Sequence, residues 1–203
     1  MNSKQALYNE IERHILQDEK PSQFLDAIRS SPAMKEHPFH FLSRLEQVEQ
    51  SPVHHPEGNV WIHTMMVLDS AAQRKSRSTN QRVFMWAALL HDIGKAVTTE
   101  VRKGRITAYD HDKAGEELAI EFLKEFEQDK QFISEVSALV RWHMQLLFVV
   151  RSLPFAEIKK MKQQVSIHEV ALLALCDRLG RTNADIKKEE ENIRNFIEKC
   201  ESV

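Results

Sequence analysis

The sequence predicts an all-α fold, a bundle of roughly eight helices with one short β-hairpin near 100–108. Two observations predict it. Glycine (5) and proline (6) are scarce among 203 residues, so few positions interrupt a helix. Apolar residues recur three and four apart along most of the chain, while few stretches alternate as strands do.

Leu7, Ile11 and Ile15 fall at intervals of four within residues 3–17, the stripe of an amphipathic helix. Pro21 and Ser22 open a second helix through Ile28, and Pro32 a third that runs into FHFLSRLEQVEQ and stops near Pro52. The segment SPVHHPEGN holds two prolines and a glycine and reads as an irregular loop. Helical spacing returns over 60–74 and breaks at KSRSTN. Residues 83–91, VFMWAALLH, are apolar all round, as in a central buried helix, and Gly94 gives the chain freedom to turn at its end. TTEVRKGRITAYD, with Gly104 between two β-prone runs, is the hairpin. Asp110 or Asp112 is placed to cap the helix through AGEELAIEFLKEF. Ile133, Val136, Val140 and His143 share one face of the next helix; Pro154 starts a short one, ALLALCD lies in an apolar one, and 183–199 is charged with Ile186, Ile193, Phe196 and Ile197 on one side. The expected division is an N-terminal helical extension (1–50), a main domain (51–182) and a C-terminal helix (183–203) packed on that domain.

The formal net charge of -2 supplies no global basic field for nucleic acid or for an anionic membrane, although it leaves room for a local basic patch. Two cysteines, Cys176 and Cys200, lack paired spacing and read as reduced thiols in a cytoplasmic protein. No apolar run approaches the ~18 residues of a membrane span, and MNSKQALYNE has no signal-peptide core.

The ten histidines are the distinctive feature. His91-Asp92-Ile93-Gly94-Lys95 closes the apolar helix. Neighbours on a helix point about 100° apart, so both side chains reach one ion only where the helix ends. His63 lies near the start of another apolar helix. Asp177 follows ALLALC, where a lone carboxylate is costly to bury unless paired or bound to a cation. His111 and His143 stand at helix ends. Imidazole and carboxylate together suit Mn, Ni, Fe, Co, Zn or Mg, and the lack of thiolate ligands argues against a structural zinc site. Each residue also has an ordinary role open to it. Asp177 can pair with Arg178 or Arg181, Lys95 can be a solvated helix-end lysine, and His55 and Glu57 can brace their loop. Trp61 and Trp142 can stack on a base or simply fill the core. His14, His37, His40 and His168 lack any such setting and read as surface or packing residues.

The order H…HD…D, realised by His63, His91-Asp92 and Asp177, resembles the signature of HD-domain phosphohydrolases. HHPEGNVWIHT, ALLHDIGK, AYDHDKAGEELA, LVRWHM and ALCDRLGR resemble, in order, segments of the C-terminal HD domain of bacterial CCA-adding tRNA nucleotidyltransferases. The segment 1–50 has no glycine and no paired-aspartate polymerase motif, so the expectation is the hydrolytic domain without nucleotide addition. The resemblance implies a metal-dependent phosphohydrolase for phosphate esters of nucleotides, including 2′,3′-cyclic phosphates and 2′-nucleotides. It implies one divalent ion held by His63, His91, Asp92 and Asp177, and places His111 and His143 where binuclear relatives hold a second.

On that reading a metal-activated water attacks phosphorus. Lys95, Arg178 and Arg181 bind the phosphate, and His54 or Glu57 serves as proton donor or base. The expected partner is a small phosphorylated substrate, a nucleotide, with RNA suggested by analogy alone. Two other classes compete: a di-iron HD-type oxygenase, which uses the same six ligands, and a non-catalytic HD scaffold or nucleotide-binding module.

Overall fold

A computed structural model describes residues 3–203; the first two residues of the expected N-terminal extension lie outside the described ones. The chain forms α1 (Ser3–Gln17), α2 (Ser22–Ile28), α3 (His40–Ser43), α4 (Val60–Ala72), α5 (Gln81–Leu90), α6 (Lys95–Thr98), β1 (Thr99–Arg102) and β2 (Arg105–Ala108). There follow α7 (His111–Lys124), α8 (Lys130–Trp142), α9 (Gln145–Val150), α10 (Ile158–Gln164), α11 (Ile167–Leu179) and α12 (Ile186–Glu201).

The all-round apolar run becomes α5, the axis of the bundle. Phe84 through Leu90 are fully buried, and the helix packs against α1, α4, α8 and α11. An apolar stretch with no polar face has no solvated side to offer, so its neighbours must enclose it. Side-chain caps set where the helices begin. Asn59 accepts from the Ile62 amide at the start of α4, Asn80 from Val83 at α5, and Ser166 from His168 at α11. These caps fix the helix registers that carry the histidines.

The first two helices share the central core: Tyr8, Ile11, Ile15 and Leu25 are buried in one cluster with α4 and α5. Polar anchors join them to it. The Trp61 indole donates to Asp26 at 2.8 Å and the Trp86 indole to Glu12 at 2.8 Å.

The hairpin forms as expected, antiparallel with Thr99 opposite Ala108. Its two turn residues, Lys103 (φ 50) and Gly104 (φ 74), are both left-handed, the conformation a two-residue hairpin loop requires.

Other expectations need correction. The eight-helix count omitted short helices such as α3 and α6, which are too brief to show an apolar period. The third segment is not one helix: it breaks into 3-10 turns at Pro32–Lys35 and Arg44–Gln47 around α3. Pro154 lies in a turn, and α10 begins only at Ile158. Neither aspartate caps α7. Asp110 is left-handed (φ 57) with no cap bond and pairs with Lys113, while the Asp112 carboxylate is taken by Arg141. One run, Lys130–Val150, is long and apolar enough to cross a membrane by length and composition. Here it is two helices, α8 and α9, joined by a turn at 143–144 and largely buried.

Candidate metal centre

Five helix ends meet at one buried point. α5 stops at Leu90, and the following turn points His91 and Asp92 inward, 1% and 2% exposed. α4 contributes His63, 0% exposed, from its first turn, and the last turn of α11 contributes Asp177. His111 opens α7 and His143 follows α8.

Gly94 does not act through backbone freedom, because its φ of -65 is ordinary helical geometry. Its role is closeness. A Cβ at Gly94 would lie 2.0 Å from the His111 carbonyl oxygen and 2.5 Å from the Gly115 nitrogen. The missing side chain lets the α5–α6 turn press against the start of α7, which brings His111 to Asp92. Gly180 acts similarly at the other wall: its Cβ would meet Val67 Cγ2 at 2.5 Å, where α11 packs on α4.

The two oxygens of Asp92 face two sets of imidazoles. Oδ2 lies 3.3 Å from His91 Nε2 and 3.8 Å from His63 Nε2. Oδ1 lies 3.5 Å from His111 Nε2 and 3.8 Å from His143 Nε2. Asp177 Oδ1 is 3.1 Å from His63 Nε2. Donors held about 2.1 Å from one ion sit about 3.0–3.4 Å from each other, close to these separations. The groups His63–His91–Asp92 and Asp92–His111–His143 both have the compactness of a metal site.

Proton bookkeeping tests whether these donors fit a cation. His91 Nδ1–H donates to the Ala88 carbonyl at 2.9 Å, His111 Nδ1–H to Ala108 at 2.7 Å, and His143 Nδ1–H to Val140 at 2.6 Å. A carbonyl only accepts, so each neutral ring carries its proton on Nδ1 and turns a bare Nε2 inward. His111 Nε2 and His143 Nε2 then face each other at 3.2 Å as two lone pairs, and buried His91 Nε2 has no hydrogen-bond partner among the described residues. Lone pairs gathered around carboxylate oxygens repel unless a cation lies between them. The donor set fits divalent ions.

The titration directions agree with this picture. Burial, with His111 alongside, pushes His143 down to about 3, and burial lowers His111 as well. Burial acts to raise Asp92, but Lys95 and His91 outweigh it and hold the carboxyl well below its ordinary range. Burial also acts to raise Asp177, and Arg181 and His63 overcome it. His63 is pulled down by burial yet raised overall by Asp177 and Glu57.

The remaining sequence-derived residues divide by location. Lys95 is buried with its Nζ 2.7 Å from Asp92 Oδ2 and 2.7 Å from Gln50 Oε1. Arg181 Nη2 donates to Asp177 Oδ1 at 3.1 Å. Both line a cavity of about 260 Å³ that opens from the centre, together with Arg178 and the exposed His54. Glu57 does not. Its carboxylate is 1% exposed and lies behind the centre, 2.8 Å from His55 Nδ1 and 2.8 Å from His63 Nδ1. Burial acts to raise it, but His63 and its other hydrogen bonds hold it at about 2, so it is ionised at neutral pH. Glu57 was expected as proton donor or base; the structure puts it off the cavity lining and behind His63. Neither tryptophan lines the cavity: Trp142 donates to Gln164 at 2.7 Å, as Trp61 does to Asp26. The sequence reading missed Gln50 and Arg151, which also line the cavity; nothing in their local pattern marks them.

Comparison with known proteins agrees with this geometry. The family model described as HD domain matches residues 60–182, and the chain belongs to the HD domain family, in general a family of metal-dependent hydrolases. Among curated relatives it is similar to the Multifunctional CCA protein of Pseudomonas syringae pv. syringae, 35% identical over 107 residues, covering 51% of this chain and 24% of the relative. The Multifunctional CCA protein of Methylococcus capsulatus is 43% identical over 83 residues, 41% of this chain and 18% of that one. That of Halorhodospira halophila is 37% identical over 97 residues, 48% and 22%. The chain thus spans about a quarter or less of the length of these relatives.

Proposed function

We propose that this protein is a phosphohydrolase for nucleotide phosphate esters, a phosphomonoesterase or 2′,3′-cyclic phosphodiesterase dependent on two divalent ions. The observation that carries the reading is the division of Asp92, with Oδ2 toward His63 and His91 and Oδ1 toward His111 and His143. When bound, the ions supply Lewis acidity and a water acidified toward neutrality.

The chain's own residues do the rest. His63, His91, Asp92 and Asp177 would hold one ion, and His111 and His143 with Asp92 would hold the other. Glu57 stands behind His63 with its Oε1 2.8 Å from His63 Nδ1, the side from which carboxylates fix metal-bound histidines. Lys95 and Arg181 already neutralise the two aspartates and border the space for a phosphoryl group, so they stabilise negative charge there without reorganising. His54, exposed at the cavity rim, is the remaining candidate to pass a proton to the leaving oxygen. The resemblance of its motifs to the HD domain of CCA-adding tRNA nucleotidyltransferases supports a nucleotide or an RNA end as substrate. The two free cysteines suit a cytoplasmic setting.

The test combines metal analysis of the purified protein with phosphate release from a panel of nucleotide esters under Mn, Ni, Co and Mg. The double variant His91→Ala/Asp92→Ala should lose turnover and keep its helical circular dichroism. Tightly bound iron with oxygen uptake and no phosphate release would replace this reading with the oxygenase.

A further inference from the structure

Beyond the ion ligands, the cavity carries two more cations than its hydrolytic chemistry uses. Lys95 and Arg181 are each engaged by an aspartate. Arg151 and Arg178 line the same cavity, and among the described residues neither side chain makes a hydrogen bond or ion pair. Their only carboxylate neighbours on the lining are Glu49 and the two metal-centre aspartates. Buried Arg181 Nε also lacks a partner.

The backbone that carries these arginines is fixed. Arg151 closes α9, its amide donating to the Leu147 carbonyl at 3.2 Å. Lys199 of α12 fastens the same turn by donating to the carbonyls of Val149 and Val150, each at 3.3 Å. Arg178 rides on α11 one residue after Asp177; burial lowers it first, Asp177 and Glu189 attract its charge, and Arg181 and Arg151 repel it. Three guanidinium groups share one wall, Arg178 half-buried and Arg151 exposed at the rim, and such a cluster attracts an anion into the space between them. Between them and the hairpin the lining turns apolar, with Met144, Leu147 and Ala174 from the helices and Ile106 from β2, a surface suited to a sugar or base.

We propose that Arg151 and Arg178 form a second phosphate subsite, so the preferred substrate carries a non-reacting phosphate besides the one at the ions. The inference rests on the hydrolase reading for the identity of the reacting group. Guanidinium suits the task because its planar fork meets two phosphate oxygens at once. That phosphate is either a terminal one or an internucleotide diester, which share this chemistry.

Calorimetry on the chelated full-length chain compares adenosine 2′-monophosphate with adenosine 2′,5′-bisphosphate and with a dinucleotide bearing a 3′-phosphate. The same compounds are then assayed for kcat/KM with Mn. The second phosphate should improve binding and kcat/KM at least tenfold, about 1.4 kcal/mol. Arg151→Met should reduce that preference below threefold, and Arg151→Lys should retain part of it. Whichever of the two larger ligands gains more identifies the source of the phosphate. A wild-type preference below threefold for both, or an Arg151→Met variant that weakens all three ligands equally, overturns the subsite. Preference in binding without turnover would sink the hydrolase reading and leave the subsite standing. Turnover without preference would do the reverse.

Discussion

Replacing Gly94 with alanine would show whether close packing of the α5–α6 turn on α7 builds the second ion site. The added Cβ falls 2.0 Å from the His111 oxygen, where ordinary contact begins at 3.4 Å, so the backbone must yield by about 1.4 Å. Neither neighbour can give way alone, since both close atoms are backbone. Overpacking of this kind costs about 1–3 kcal/mol, and occasionally more. For a chain of this size that lowers the melting temperature by roughly 2–12 °C. The same shift moves His111 away from Asp92 Oδ1, now 3.5 Å distant, and ligand bonds near 2.1 Å tolerate only a few tenths of an ångström. The expected variant folds, melts early, and retains close to one equivalent of tightly bound Mn, against the two expected of the wild type. Differential scanning calorimetry and metal analysis after gel filtration measure both. Wild-type melting together with wild-type metal content would refute the packing argument.

Three further outcomes follow from the centre. Glu57→Gln should weaken metal binding about 10–100-fold, as loss of a carboxylate behind a ligand histidine does, with activity returning at saturating metal; a permanent loss of kcat would instead make Glu57 a proton-transfer group. Lys95→Met leaves the buried Asp92 carboxylate without its 2.7 Å partner, and should cost the chelated protein about 3–5 kcal/mol; Mn should restore much of this, and equal losses with and without Mn in urea titrations would count against it. The chelated protein should also weaken in acid. Burial holds folded His143 at about 3, whereas the unfolded ring titrates near 6.5, so between these values the unfolded chain binds the extra proton. The stability tied to this group is whole above pH 6.5 and falls toward about 3, at up to roughly 1.4 kcal/mol per pH unit. Denaturation curves at pH 7, 6 and 5 measure the slope, which His143→Gln should flatten; an unchanged slope would exclude His143 as its source.

That His63, His91, Asp92, Asp177, His111 and His143 converge was legible from the family resemblance, and an incongruity in the sequence pointed the same way. A histidine or aspartate at the end of an apolar helix needs a partner, and six such residues in one chain point to a shared one. The reason for Gly94 was not legible, since the atom it accommodates belongs to a residue seventeen positions away and only tertiary packing brings them together. The position of Glu57 behind His63 was not legible for a related reason. Its place in a histidine-rich loop suggested the cavity, but whether a loop side chain faces the front or back of a ligand depends on how SPVHHPEGN folds, and that segment has no period to read. Arg151 gave no signal, because an arginine after an apolar helical turn is what any helix C-terminus favours. The hairpin was legible from Gly104 and its flanking β-prone residues. The α7 start was not, because Asp110 and Asp112 both offered a cap that the left-handed backbone of Asp110 and the competing Arg141 withdrew.

The hydrogen bonds from His91, His111 and His143 to carbonyls three residues earlier bear on how ions exchange. Each ring is clamped by its own stretch of backbone, so its aim does not depend on what it grips. A departing cation would leave behind a rigid socket that the next can enter without any rearrangement. Which element occupies such a socket in the cell would then be settled by the supply of each metal and its intrinsic ranking for nitrogen and oxygen donors, with little discrimination by the polypeptide.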